Sequence, residues 1–66
     1  MRVILGEPVY HVQVFTDGHW EGLGFVDLNK DVVEKRFTSA GRFFPKRRLV
    51  RYSLERGDWD ILREAV

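Results

Sequence analysis

The 66-residue chain has no cysteine. Disulfide staples and thiolate zinc sites are therefore excluded, and packing or self-association must hold the domain together. The same absence fits a reducing, intracellular setting, and a cytoplasmic location is the corresponding expectation. Excess charge is lacking too: 11 Lys and Arg against 10 Asp and Glu leave a net charge of +1, too little to argue for a nucleic-acid partner from totals. There is no long apolar run. Val3-Ile4-Leu5 stops at Gly6, Glu7 and Pro8, too short for a signal-peptide core or a membrane span, so the expectation is a soluble, stand-alone protein with its own start Met and no membrane partner.

Catalytic signatures are missing as well. No Ser or Cys sits in a nucleophile motif, and Gly22-Leu23-Gly24 falls inside a predicted strand without the helix-opening glycine of a phosphate loop. His11 and His19 are the only histidines, and they project from opposite faces of a predicted hairpin, so they cannot share a metal ion. The sequence thus predicts a protein that is not an enzyme, with no catalytic residue, no metal site and no cofactor.

What the chain does contain is aromatic mass. Five Phe, two Trp and two Tyr supply a core for a domain that, at this length, buries only about 60% of the surface its unfolded chain exposes. One domain spanning residues 1–66 is all the length allows. Residues 9–16, VYHVQVFT, alternate with period 2, and Asp17-Gly18 is a strong two-residue hairpin signal because both residues tolerate positive φ. In that register Thr16 opposes His19, Phe15 opposes Trp20, Val12 opposes Leu23 and Tyr10 opposes Phe25.

Residues 27–41, DLNKDVVEKRFTSAG, switch to helical spacing, with Val33, Phe37 and Ala40 at i, i+4 and i+7 and Phe44 one turn further. Asp27 or Asn29 is the predicted cap. Gly41 is the natural left-handed stop, while the Phe37 to Phe44 spacing would carry the helix towards Pro45. A second hairpin follows, in which Val50, Tyr52 and Leu54 alternate with Arg51 and Ser53. An even loop around Arg56-Gly57 places Leu54 opposite Trp59 and Tyr52 opposite Ile61, and keeps Asp58 and Asp60 out of the core.

The predicted fold is α+β: a single small ββαββ domain, a four- or five-stranded antiparallel sheet with one helix packed on one face, the fifth strand being Val3–Leu5. The predicted core is Tyr10, Val12, Val14, Leu23, Phe25, Val33, Phe37, Val50, Tyr52, Leu54, Trp59 and Ile61. The alternative is a small all-β barrel with residues 32–38 as a strand, where Val33, Lys35 and Phe37 would share a face.

Alternation in the first hairpin leaves Phe15 and Trp20 on the side away from the helix, beside His11, Gln13, Gly22 and Gly24. A cross-strand aromatic pair over a glycine floor has the composition of an interface anchor, and the glycines permit close approach of another surface. Arg51, Asp60 and Glu64 are expected on the same face. These residues point to a regulator or inhibitor that binds a larger protein partner, with a homodimer as the other form of association. Its predicted protein-binding residues are His11, Gln13, Phe15, Trp20, Gly22 and Arg51. The alternative is a small nucleic-acid-binding protein, in which Arg42, Lys46, Arg47, Arg48 and Arg51 meet phosphates and the two rings stack bases.

Overall fold

Two hairpins flank one helix. Strands β1 (Pro8–Thr16) and β2 (His19–Asp27) form the first, helix α1 (Lys30–Ala40) follows, and strands β3 (Arg47–Ser53) and β4 (Asp58–Ala65) form the second. The computed structural model describes residues 8–53 and 55–65, with the backbone alone at Phe25. Over these residues the chain is an α+β domain: a four-stranded antiparallel sheet in the order β2-β1-β3-β4, with α1 across one face. The barrel alternative fails because residues 32–38 lie within α1. The expected strand at Val3–Leu5, and the core positions of Leu54 and the Phe25 ring, lie outside the described residues.

The first turn forms as its residues dictate. Asp17 and Gly18 both take positive φ, 52° and 82°, which matches the right-handed twist of the flanking strands. Trp20 then opposes Phe15, and Gly22 opposes Gln13. Beyond that point the simple register ends: His11 opposes Val26, so the step from 22 to 26 on β2 faces the shorter step from 13 to 11 on β1. Gly24 adopts φ 79° inside this bulge. The expected pairing of Tyr10 with Phe25 is thereby corrected, since Tyr10 opposes Asp27.

Both predicted caps act, in succession. The Asn29 side chain accepts a hydrogen bond from the Asp31 N–H at 2.9 Å, and the Asp27 carboxylate accepts from the Asn29 N–H at 2.8 Å. At the other end Gly41 has φ −59°, a right-handed value, so the expected left-handed stop is not formed. Instead the Gly41, Arg42 and Phe43 N–H groups bond to the carbonyls of Thr38, Ser39 and Ala40. This tighter turn brings Phe44 back against the core, as the Phe37 to Phe44 spacing requires.

The second hairpin departs most from expectation. Tyr52 opposes Trp59 and Ser53 opposes Asp58, so the loop has four residues and the register is offset by two from the predicted pairs. More consequential is which way β3 faces. Cross-strand pairs share a face, and β3 pairs Leu49 with Val12 while Val50 pairs with His11. Leu49 therefore lies under the helix with Val12, Val14, Val33 and Phe37, and Val50, Tyr52, Trp59 and Ile61 lie on the opposite face. These four are removed from the predicted helix-side core. Alternation after Ile61 puts Leu62 on the helix side, and a bulge there pairs Leu49 with Arg63, so that Arg63 and Ala65 lie on that side as well.

Arginines explain how the helix side tolerates this facing. Arg47 and Arg51 flank Leu49 on β3, beyond its contact with the helix. The Arg47 Nε–H donates to the Phe37 carbonyl at 2.6 Å and another of its N–H groups donates to that of Pro45 at 3.1 Å. The Arg47 and Arg63 guanidiniums lie over the Phe37 ring, 4.6 and 4.9 Å from its centroid. Their apolar stems and planar heads close the edges of a core made of few residues. Gly41 completes the arrangement, because a Cβ there would stand 2.8 Å from the Arg47 guanidinium.

Two substitutions test this packing. Leu49→Ala is expected to cost about 2–5 kcal/mol in urea unfolding, a large share of what so small a domain has. Gly24→Ala is expected to cost about 1 kcal/mol through backbone strain alone, since no atom stands within 4 Å of the added Cβ.

Candidate functional site

No described element packs over the second face of the sheet. Its residues follow from strand parity: Val9, His11, Gln13 and Phe15 from β1; Trp20, Gly22 and Val26 from β2; Arg48, Val50 and Tyr52 from β3; and Trp59, Ile61 and Glu64 from β4. The middle of this face is dry, with Val50 1% and Val9 8% exposed. Its margins are not, with Trp59 49%, Ile61 42% and Val26 39% exposed. Apolar side chains thus occupy both sides of the sheet while the helix covers one.

The predicted aromatic pair is present. Phe15 and Trp20 meet edge to face, with centroids 5.3 Å apart and planes at 73°, a geometry the ring quadrupoles favour. What sequence reasoning missed is the group that joins this pair to the rest of the face. Arg48 places its guanidinium 4.0 Å from the Trp20 centroid and 5.1 Å from that of Trp59, so it bridges the two indoles. Its Nε–H donates to the Gln13 Oε1 at 2.6 Å. Lys46 continues the array, its Nζ 4.2 Å from the Phe15 centroid and 6.0 Å from that of Trp20. Each such contact contributes about 0.5–2 kcal/mol, more where water is excluded.

Of the six residues predicted for protein binding, His11, Gln13, Phe15, Trp20 and Gly22 lie together on this face. Arg51 does not. It pairs with Tyr10 on the helix side, and its guanidinium donates to the Asp60 carboxylate, whose hydrogen bond and charge raise the Arg51 pKa. Asp60, also expected on the open face, moves with it, which leaves Glu64 as the one strand carboxylate there among the described residues. The signal that could have identified Arg48 is its alternation with Val50 and Tyr52, which shows that the three share a face whichever way β3 turns.

The predicted phosphate-binding set is dispersed by the same parity. Arg47 and Arg51 lie on the helix side, Lys46 and Arg48 on the open side, and Arg42 in the turn after α1. Gly22 retains its expected position opposite Gln13, and a methyl group added to it would meet no atom within 4 Å, so this part of the floor is flat and accessible. Gly24 is accounted for by the bulge.

His11 is half-buried near the centre of the face. Its Nε2 lies 3.5 Å from the Gln13 Nε2. Burial, and secondarily the Arg48 charge, hold its pKa below the ordinary 6.5. Among the described residues no group of three His, Asp or Glu is placed to hold a metal ion, and no helix is long and apolar enough to cross a membrane. On the helix side, Leu23, Ala40, Phe43 and Phe44 line an apolar groove of about 320 Å³, with Arg36 and Ser39 at its rim.

The His11 environment gives a pH prediction with a definite sign. A histidine whose native pKa is depressed contributes stability that is complete above its unfolded value of 6.5 and is lost as the pH falls below that value through the lower native one. The urea midpoint is expected to drop between about pH 7.5 and about pH 5.5 in the native sequence, and to drop less in His11→Leu. An equal drop in both would detach His11 from the effect.

No protein-family model matches the chain, and neither a curated protein nor a solved structure shows significant similarity to it.

Proposed function

We propose that this is a non-enzymatic interaction protein of the cytoplasm, a regulator or inhibitor that docks on a larger protein partner through the open sheet face. The observation that carries this reading is the joining of Trp20, Arg48 and Trp59 beside Tyr52 on a surface over which no described element packs. Trp, Tyr and Arg are the side chains that supply most of the energy at protein interfaces, where they cluster in desolvated patches. Here they are held before any partner arrives, which lowers the ordering cost of docking.

Charge specifies the chemistry of the partner. Among the described residues neither Lys46 nor Arg48 has a carboxylate within 4.0 Å, although Glu64 stands opposite Arg48 in the strand register. The complementary surface is therefore apolar and carries carboxylates. A second copy of the same face would bring two Lys46 and Arg48 clusters towards each other, which favours a different protein over a homodimer. A single-stranded nucleic acid fits less well, because Arg48 already covers one face of Trp20 and the basic run is divided between the two sides of the sheet.

The test is capture from a lysate of the source organism on immobilised native protein, Arg48→Ala and Trp59→Ala, with and without nuclease. Expected is a protein retained after nuclease by the native sequence and lost from both variants, each substitution weakening binding by about 2 kcal/mol while circular dichroism shows the fold intact. Capture that ignores both substitutions would overturn the proposal. Capture abolished by nuclease would transfer the face to a nucleic acid.

A further inference from the structure

The hydrogen bonds beneath Arg48 leave little freedom in how protons are arranged. An arginine can only donate, so the Gln13 atom 2.6 Å from the Arg48 Nε must be its carbonyl oxygen. This orientation turns the Gln13 amide nitrogen, which can only donate, towards the His11 Nε2 at 3.5 Å. The contact is long, and the arrangement that makes it attractive has His11 accepting at Nε2 with its proton on Nδ1, the neutral imidazole. The chain runs in one direction, from Arg48 to Gln13 to His11.

We propose that His11 is a proton-operated latch on the open face: neutral, it holds Gln13 in the orientation that anchors Arg48 between Trp20 and Trp59, and protonated, it releases Arg48. A proton added at Nε2 sets two donors against each other. If the Gln13 amide turns over to offer its oxygen to His11, its nitrogen then faces the Arg48 Nε–H, and the conflict moves one residue along. Either way one hydrogen bond of the chain is lost, and a second cation lies near Arg48.

The surroundings do not offset this. From β1, Val9 and Gln13 share the face with His11; from β2 the opposing residue is Val26; from β3 it is Val50, flanked by Arg48 and Tyr52. Of the β4 carboxylates Glu64 alone lies on this face, opposite Arg48, while Asp58 and Asp60 lie on the helix side. Among the described residues a charged imidazole therefore meets a cation, Gln13 and apolar side chains, and burial already disfavours it. Because Arg48 is also the proposed docking residue, acidification would weaken binding at this face. That consequence rests on the docking proposal, whereas the latch itself is a property of the free protein.

The test is a nuclear magnetic resonance titration of the free 66-residue chain from about pH 7.5 to about pH 4.5, following the His11 ring, the Gln13 side-chain amide and the Arg48 Nε–H. Expected is one midpoint, below 6.5, shared by all three signals. In His11→Leu and in Gln13→Met the Arg48 signal should not respond over that range, and in Glu64→Gln it should respond as in the native sequence. An Arg48 signal that stays flat through the His11 midpoint, or one that still moves in Gln13→Met, would overturn the latch. Neither result bears on whether a protein docks on the face, which the capture experiment decides separately.

Discussion

The Arg48 guanidinium lies against Trp20 of β2 and Trp59 of β4, and its Nε–H is held by Gln13 of β1, so one side chain of β3 connects all four strands on the face opposite the helix. This connection depends on which side of β3 faces inward. Leu49 occupies the position under Phe37 and Val33, and alternation then sends Arg48, Val50 and Tyr52 outward together. A one-residue slip of β3 would exchange the two sets and dismantle both the core and the array.

Arginine has two structural uses here, separated by the pleat of the sheet. On the helix side Arg47 and Arg63 cover the Phe37 ring, and Arg47 also ties the end of the helix to the start of β3 through the Phe37 and Pro45 carbonyls. On the open side Arg48 and Lys46 lie over rings and lack carboxylate partners among the described residues. A run that is uniformly basic in sequence thus becomes structural cement on one face and unneutralised charge among aromatics on the other. This division is why contiguity of charge in the sequence does not translate into a continuous cationic surface.

The first hairpin and the helix were legible because local chemistry determines them. Asp17-Gly18 fixes the turn and hence the outward facing of Phe15 and Trp20, and Asn29 with Val33 and Phe37 fixes the start and inward face of α1. In β3 the segment RRLVRYS reveals which residues share a face but not which face is inward. The more apolar set, Val50 and Tyr52, looks like the core choice. The set that wins holds one leucine between two arginines, because Arg47 finds a carbonyl and a ring of the helix at Phe37 and Arg51 finds the Asp60 carboxylate of β4. The bulges were the other hidden element. Gly24, a glycine inside a strand, is the trace of the first in the sequence, whereas the second, between Ile61 and Arg63, has no such marker.

Everything on the open face turns on Arg48, and not Arg51, lying between the two indoles. Ring-current shifts report this directly, because protons stacked over an indole resonate upfield of their ordinary positions. Expected are upfield-shifted Arg48 Hγ and Hδ resonances that move back partway in Trp20→Ala and in Trp59→Ala, with Arg51 unshifted in all three proteins. Arg48 resonances at ordinary positions, or shifts found on Arg51 instead, would contradict it.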